Sequence, residues 1–329
     1  MVFKIRVYVF LNARYLAPIF LFYYFNRLMP FLYYLVLRPV SLLPAWVLYG
    51  ISDGLYFVIY RLVGYRRGVV RTNIKNSFPE QDREKRLVIE RQFYAHFCDL
   101  IVESIKAFSI SKSELERRFV HRNPGLLQQY FDKGQHVTLV GGHSGNWELC
   151  AVSLALHLRH QPLALYTPLT NKFMNKKITQ SRSRFGLWMR NYQEAKKIVK
   201  AEGVGPVVFI FAADQCPRTN QRPYWTEFLN QETGVQFGAE KFARDNQTPV
   251  VYGFIHKIKR GHYEMEYRPI CDEPNGLEMG MISEAHTRML EGDIRKEPAY
   301  WLWTHKRWKR KKKDFEEKSE DEEGLKSVA

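Results

Sequence analysis

The residue types best suited to chemistry stand together in one short segment, Gly141-Gly142-His143-Ser144-Gly145-Asn146-Trp147-Glu148. His143 can exchange a proton near neutral pH, because the ordinary pKa of an imidazole is about 6.5. Glu148 can accept a hydrogen bond from one imidazole nitrogen and so fix the tautomer of the ring. The pair predicts general-base catalysis on a substrate hydroxyl, with Glu148 stabilising the imidazolium that forms.

The spacing of this pair restricts the backbone around it. Five residues of regular helix rotate a side chain by about 500°, which leaves two side chains roughly 140° apart. His143 and Glu148 therefore meet only if His143 lies in a turn that precedes the helix. The glycines on either side of His143 permit such a turn. His286 and Glu291 have the same spacing within a predicted continuous helix, so we expect those two side chains to point apart.

The elements around the segment place it at one edge of a sheet. An apolar run at residues 137–140 precedes it and a helical pattern follows, so His143 falls at the C-terminal end of a strand. Open α/β sheets bind their ligands at this edge. The segment lacks the second glycine of a nucleophile elbow, which disfavours a serine hydrolase, and it is a poor dinucleotide fingerprint. Backbone N–H groups at residues 145–147 are candidate donors to a tetrahedral oxyanion.

Strand-like and helical patterns alternate through the rest of the chain. A helical apolar stripe occupies residues 80–108. Candidate strands are residues 136–140, 162–167, 207–212, 249–256 and 263–267. Candidate helices are residues 148–158, 172–183, 194–201, 239–245 and 283–294. This alternation predicts an α/β fold with a mixed central sheet flanked by helices.

Composition and charge restrict the class of protein. The 329 residues, 45% of them hydrophobic, are enough for a substantial core, and they exclude a disordered chain and a disulfide-stapled mini-protein. Lys and Arg number 50 against 34 Asp and Glu, a net charge of +16. That charge predicts an anionic partner, either nucleic acid, an acidic membrane surface or a phosphorylated substrate. The four cysteines lack metal-binding spacing, and we expect reduced thiols.

The first 64 residues are mainly aromatic and aliphatic. Their longest uncharged stretch, residues 39–52, is shorter than the ~20 residues of a clean transmembrane helix, and residues 42–63 reach that length only with Asp53 inside. We expect residues 1–64 to form a hydrophobic membrane-associated helical segment, either an embedded or interfacial hairpin or one imperfect spanning helix. A buried pair of core helices is the alternative. Met29 is a second possible start of translation, which would make residues 1–28 an artefact.

We expect a catalytic domain at residues 65–305 and a disordered tail at residues 306–329. The tail begins with an almost wholly basic run at residues 306–313, and residues 316–323 are mostly acidic. Tryptophans together with basic residues suit the headgroup region of an anionic membrane. Trp301, Trp303 and the basic run therefore predict contact with such a surface, with a solvated tail as the alternative.

Taken together, the motifs resemble those of the lipid A late acyltransferases, the lauroyl and myristoyl transferases within the glycerolipid acyltransferase superfamily. A His-x4-acid block after a strand resembles the superfamily signature. Glutamate at the acid position resembles the lipid A late acyltransferases within that superfamily. The likeness runs from about residue 29 to residue 310. The supporting blocks are Arg71-x-Asn73-x-x-Asn76-x-Phe78-Pro79, Tyr166-x-Pro168-x-x-Asn171, Arg182-x-Arg184-x-Gly186, Ala213-Asp214-Gln215 and Pro298-x-x-Trp301-x-Trp303-x-His305-x-Arg307-Trp308-Lys309.

The resemblance implies a glycerolipid-acyltransferase-like fold and an enzyme that moves an acyl group from acyl carrier protein or CoA to a hydroxyl of a lipid A precursor. It implies a place at the cytoplasmic face of the bacterial inner membrane. The thioester is then a substrate, and neither a cofactor nor a catalytic metal is expected. A lysophospholipid or an amino-acid-containing lipid is the alternative acceptor. Dispersed charge disfavours a nucleic-acid-binding protein, and a noncatalytic membrane scaffold would not need the paired His143 and Glu148.

Six further residues are candidates for substrate binding: Asn146, Trp147, Arg182, Arg184, Asp214 and Gln215. The first two either shape the acyl pocket or cap and pack the helix. Arg182 and Arg184 are suited to bind acceptor phosphates or to orient the site, unless they are solvated on a helix face. By resemblance Asp214 is a site residue that organises one of these arginines; a turn-forming aspartate is the alternative.

Overall fold

The structure is a computed structural model that describes residues 27–219 and 221–315. Residues 1–26 of the predicted N-terminal segment at residues 1–64, which include most of the possible start-site artefact at residues 1–28, and the acidic end of the predicted tail lie outside the described residues.

Helices form the N-terminal part of the fold. A π-helical turn at Tyr33–Leu37 leads into α1 (Arg38–Leu42), and α2 (Ala45–Tyr56) continues as a π-helical stretch at Phe57–Val63. They are followed by α3 (Arg67–Ser77) and by the long α4 (Arg83–Lys106). Asp82 caps α4 by accepting a hydrogen bond from the Lys85 N–H. Within the apolar stripe predicted at residues 80–108, Phe93 is buried on this helix, whereas Leu87, Phe97, Ile101 and Ile105 are partly exposed.

The central sheet carries seven strands in the order β1-β9-β8-β2-β5-β3-β4. Strands β8, β2, β5, β3 and β4 run parallel, β9 is antiparallel to β8, and β1 is parallel to β9. A separate hairpin pairs β6 with β7. The strands are β1 (Phe119–His121), β2 (Val137–Gly141), β3 (Gln161–Leu165), β4 (Trp188–Arg190), β5 (Val207–Ala212), β6 (Tyr224–Phe228), β7 (Gln231–Val235), β8 (Val250–Lys259) and β9 (His262–Cys271).

Helices cover both faces of this sheet. They are α5 (Lys112–Arg118), α6 (Gly125–Asp132), α7 (Trp147–His157), α8 (Lys172–Arg182), α9 (Tyr192–Ile198), α10 (Gly238–Asn246) and α11 (Met281–Lys296). Side chains alternate between the faces along β2, as a strand requires. Leu139 joins the buried cluster that contains Leu149 of α7, and Val140 joins the cluster that contains Ala239 of α10. The expected mixed sheet flanked by helices is confirmed.

One side of α2 is anchored to α4. The Tyr49 hydroxyl donates to Glu103 at 2.9 Å and the Ser52 hydroxyl donates to Asp99 at 2.8 Å. Large apolar side chains around this region stay exposed: Leu28, Phe31, Tyr34, Leu35, Val36, Leu42, Trp46, Ile51, Phe57, Val58, Leu62 and Val63. A fully buried pair of core helices does not fit this exposure.

Within residues 27–219 and 221–315, no single helix has both the length and the apolar composition to cross a membrane. One pair bent by 90°, residues 45–63 with residues 67–77, meets those two requirements together. The membrane-associated segment therefore stays a prediction.

The predicted disorder is wrong for the first ten residues of the tail. Arg307 is only 3% exposed and donates to the Gly234 carbonyl at 2.7 Å. The Trp308 indole donates to the Thr233 hydroxyl at 2.7 Å. The basic composition alone could not predict these contacts, because their partners lie on β7 of the β6–β7 hairpin, which the sequence pattern did not predict. Residues 306–315 therefore belong to the folded part of the chain.

Candidate active site

The turn after β2 is shaped by close approaches of the backbone. A Cβ atom on Gly141 would lie 2.6 Å from the Gly253 carbonyl oxygen of neighbouring β8. Gly145 has φ +56°, and a Cβ there would lie 2.6 Å from Cγ2 of Ile255. Glycine is thus required at both positions. His143 lies in this turn, and α7 begins after it at Trp147, as the spacing argument predicted.

The nearest carboxylate to His143 is that of Asp214. Asp214 Oδ1 lies 2.7 Å from His143 Nδ1, and Asp214 Oδ2 accepts the His143 backbone N–H at 2.8 Å. The Trp301 indole N–H donates to the same Oδ2 at 2.9 Å. Asp214 follows β5, which lies beside β2 and runs parallel to it. Two parallel strand ends therefore bring the imidazole and the carboxylate together.

Burial and charge act in opposite directions on this pair. Burial by itself would raise the pKa of Asp214, but the His143 charge and the hydrogen bonds from His143 and Trp301 hold that pKa well below its usual range. Burial also disfavours a charged His143, yet the Asp214 carboxylate raises the pKa of His143 above 6.5. Asp214 is therefore an anion at neutral pH that stabilises an imidazolium.

Glu148 is paired with Arg182 instead of His143. Arg182 Nε donates to one Glu148 oxygen at 2.9 Å and Nη2 donates to the other at 2.5 Å, a bidentate ion pair. Among the described residues Glu148 makes no hydrogen bond to His143, so the expected hydrogen bond between them is wrong. Glu148 still raises the pKa of His143 through its charge, after the larger contribution from Asp214.

The structure also corrects the expected role of Asp214. Its partners are His143 and Trp301, not Arg182 or Arg184. The sequence placed Asp214 at a strand end, but the order of the strands could not be read from it. A signal was present, because Ala213-Asp214-Gln215 ends a predicted strand just as the His143 segment does.

The two arginines have different surroundings. Arg182 lines the cavity beside His143. Arg184 donates to the backbone carbonyls of Ile110 at 2.5 Å and Ala107 at 3.4 Å, so it holds the connection between α4 and α5. Neither arginine is a simply solvated side chain, and only Arg182 reaches the site.

Asn146, Trp147 and Gln215 surround the turn. Asn146 caps α7 by accepting the Leu149 N–H at 2.9 Å, and it is fully buried. The Trp147 ring packs edge-on against the His143 ring, with centroids 5.2 Å apart, and it lines the cavity. Gln215 Nε2 lies 3.5 Å from His143 Nε2. The helix-cap alternative thus fits Asn146, and the pocket alternative fits Trp147.

A buried hydrogen-bond network, which the sequence did not predict, holds the turn that contains His143. Glu103 accepts hydrogen bonds from Asn146 at 2.6 Å and from Tyr263 at 2.7 Å. His96 Nε2 lies 3.1 Å from the Gly145 carbonyl oxygen. Burial, assisted by nearby Lys257, lowers the pKa of His96 to about 3, so the ring is neutral and Nε2–H donates. The turn is therefore fixed by groups on α4 and β9.

One predicted oxyanion donor is already used. The Gly145 N–H donates to the Tyr300 carbonyl at 3.0 Å. It is thus engaged within the protein, which leaves the amides of Asn146 and Trp147 as candidates from residues 145–147.

Apolar cavities lie on either side of the Glu148–Arg182 pair. One, of about 200 Å³, begins at His143. Its walls include Leu139, Trp147, Leu154, Ile210, Ile255 and Met265. A second, of about 160 Å³, lies between α4, α7 and α8. Among the residues that the structure describes, no group of three or more His, Cys, Asp or Glu side chains is arranged to hold a metal ion.

Comparison with known proteins gives this geometry its context. Residues 21–310 match the family model of the bacterial lipid A biosynthesis acyltransferases. The chain is also similar to a lipid A biosynthesis acyltransferase of Haemophilus influenzae, with 23% identity over 276 residues, 83% of this chain and 87% of that protein. The matched region contains His143, Asp214 and the Glu148–Arg182 pair. The chain therefore belongs to the bacterial lipid A biosynthesis acyltransferase family and is an acyltransferase.

Proposed function

We propose that the protein moves a fatty acyl group from an acyl thioester to a hydroxyl of a lipid A precursor, with His143 as the general base. The observation that carries the proposal is the His143–Asp214 pair at the mouth of an apolar cavity. The pair supplies a base for a hydroxyl that is a poor nucleophile at neutral pH, and the cavity supplies cover for a hydrocarbon chain.

The pair assigns a direction to the proton transfers. Asp214 accepts Nδ1–H of His143, which leaves the lone pair of Nε2 to remove the proton from the lipid hydroxyl. The hydroxyl oxygen then bonds to the thioester carbonyl carbon and forms a tetrahedral oxyanion. When the oxyanion collapses, the carbon–sulfur bond breaks and the leaving thiolate takes the proton from Nε2. His143 returns to its starting state, and no acyl-enzyme forms.

Glu148 acts in the proposed site through Arg182. Its two oxygens fix the guanidinium at the cavity, where Arg182 can contact an anionic part of the substrate or the oxyanion. The negative charge of Glu148 also favours protonated His143. Glu148 is thus a positioning residue, and the carboxylate that orients the imidazole is Asp214.

The acyl donor is acyl carrier protein or CoA carrying the thioester. The apolar cavity beside His143 takes the acyl chain, and the reaction needs no cofactor beyond the donor itself. Acidic donors suit a chain with a net charge of +16. The exposed apolar side chains of the N-terminal helices support a position on an anionic membrane surface, and we propose that this surface is the cytoplasmic face of the bacterial inner membrane.

The test uses the purified full-length protein with an acyl thioester and a lipid A precursor, and mass spectrometry of the product. We expect His143→Ala to abolish transfer, while His262→Ala, a histidine change at the start of β9, keeps it. Near-wild-type turnover in His143→Ala would eliminate the mechanism. Transfer to a lysophospholipid, with none to the lipid A precursor, would replace the acceptor and keep the chemistry.

A further inference from the structure

The block at residues 71–79 is not explained by the active site alone. Asn73 donates to two backbone carbonyls of the C-terminal segment, at 2.9 and 3.0 Å, and Phe78 is buried against an indole ring. These contacts give the block a structural role on its inner side. Arg71 and Lys75 lie one helical turn apart on α3, and both are exposed. The contacts on the inner side of the block do not explain why these two positions carry cations.

The side chains of Arg71 and Lys75 line a cavity between α3 and the start of α4. The cavity has a volume of about 370 Å³, larger than the one beside His143. Its charged walls are Arg71, Lys75, Arg83, Arg86 and Glu90. Four cations and one acid therefore face the same space.

The single acid in the cavity is already neutralised. The Glu90 side chain is only 2% exposed and accepts hydrogen bonds from Arg71 Nε at 3.2 and 2.9 Å. The side chains of Lys75, Arg83 and Arg86 make no hydrogen bond or ion pair with any residue that the structure describes. The acids nearest along the chain do not line the cavity. Within the described part of the chain, three positive charges thus have no counterion, and they suit a ligand with phosphate chemistry.

The position of the cavity favours a phosphate at a membrane surface. Burial and the nearby Glu90 carboxylate raise the pKa of the Tyr60 hydroxyl, so Tyr60 lies close to this cavity. Tyr60 belongs to the π-helical stretch that continues α2. In the same stretch Phe57, Leu62 and Val63 are 57%, 66% and 68% exposed. If these apolar side chains enter a bilayer, the neighbouring cations lie at the depth of the headgroups.

We infer that the cavity between α3 and α4 binds the phosphate of an anionic phospholipid headgroup and so fixes how the enzyme sits on the membrane. The inference rests on the membrane association in the proposed function, but not on its chemistry. Glu90 holds the Arg71 side chain in place, while over half of that side chain stays exposed to a ligand. Lys75, Arg83 and Arg86 complete the site from two helices.

The test measures binding of the full-length protein to phosphatidylcholine vesicles, with and without phosphatidylglycerol. The triple variant Lys75→Gln/Arg83→Gln/Arg86→Gln is expected to bind the anionic vesicles on the order of a hundredfold more weakly, because each cation near such a surface contributes about fivefold. Binding to neutral vesicles is expected to stay unchanged.

A matched control separates a site from diffuse charge. Lys133→Gln/Lys197→Gln/Lys200→Gln removes the same charge from exposed positions near the starts of β2 and β5, and it is expected to weaken binding severalfold at most. Equal losses in the two triple variants would overturn the site. A loss of affinity for acyl carrier protein with unchanged vesicle binding would also overturn it. His143→Ala is expected to bind vesicles normally, so a failed site and a failed mechanism give different results.

Discussion

The two nitrogens of the His143 ring face different surroundings. Nδ1 lies 2.7 Å from Asp214 Oδ1, while Nε2 lies on the side of Gln215, 3.5 Å from its Nε2 atom. An amide donor at that side is compatible with an unprotonated Nε2, and an unprotonated nitrogen is what a general base requires. The division of roles within one ring therefore depends on Asp214.

Removing the charge of Asp214 tests that dependence. In Asp214→Asn the side-chain amide can donate to Nδ1 and so favour the wrong tautomer, as in a serine-protease triad, where the same change costs about 10⁴-fold in kcat. We expect a loss of at least a thousandfold in kcat with a smaller change in KM. Asp132→Asn, a change at an exposed aspartate, is the control. A loss of less than tenfold in Asp214→Asn would show that another group orients the imidazole.

The pH dependence of transfer tests the influence of Glu148. The pKa of His143 is raised, and His143 is a base only while its ring is unprotonated. As the pH falls, kcat/KM should therefore begin to decline at a pH above 6.5, the ordinary pKa of an imidazole. In Glu148→Gln the negative charge that helps to raise the pKa of His143 disappears, while the Arg182 charge, which lowers that pKa, remains. The acid limb is therefore expected to move to lower pH. An unmoved limb would contradict the electrostatic part of this account.

At the scale of elements, the sequence predicted the strands that carry the site because β2 and β5 are uninterrupted apolar runs bounded by glycine or aspartate. It did not predict the order of the strands, which comes from long-range pairing. For that reason the sequence predicts Glu148, which is close along the chain, as the hydrogen-bond partner of His143. The observed partner, Asp214, lies 71 residues away along the chain. The β6–β7 hairpin is not predicted either, because none of the candidate strands lies between residues 212 and 249.

The Asn146 cap joins two elements, and its removal has a measurable cost. Asn146→Ala removes the cap of α7 and deprives buried Glu103 of one hydrogen-bond donor. We expect a loss of about 2–4 kcal/mol in the free energy of unfolding, the sum of a typical cap and a buried unsatisfied partner, together with reduced kcat. Asn191→Ala removes the exposed cap of α9 and should cost about 1 kcal/mol without affecting transfer. Equal effects of the two changes on stability and kcat would show that Asn146 is only a helix cap.

At the scale of the whole molecule, the apolar and basic surfaces make separable contributions to membrane binding. Leu62 and Val63 are exposed in the π-helical stretch that precedes α3, and Leu62→Ser/Val63→Ser removes apolar area without changing charge. Burying each side chain in a bilayer is worth about 1.5–3 kcal/mol, so this variant should bind neutral and anionic vesicles at least tenfold more weakly.

The salt dependence of vesicle binding distinguishes the contributions of the apolar and basic surfaces. The loss in Leu62→Ser/Val63→Ser should persist at high salt, whereas the loss in the variant of the basic cavity should shrink as added salt screens the vesicle surface. Met279→Ser/Met281→Ser, which changes exposed apolar side chains at the start of α11, controls for a general loss of surface hydrophobicity. If it weakens binding as much as Leu62→Ser/Val63→Ser, the N-terminal helices are not the membrane-facing surface. If it does not, one end of the molecule carries both the hydrocarbon contact and the headgroup contact.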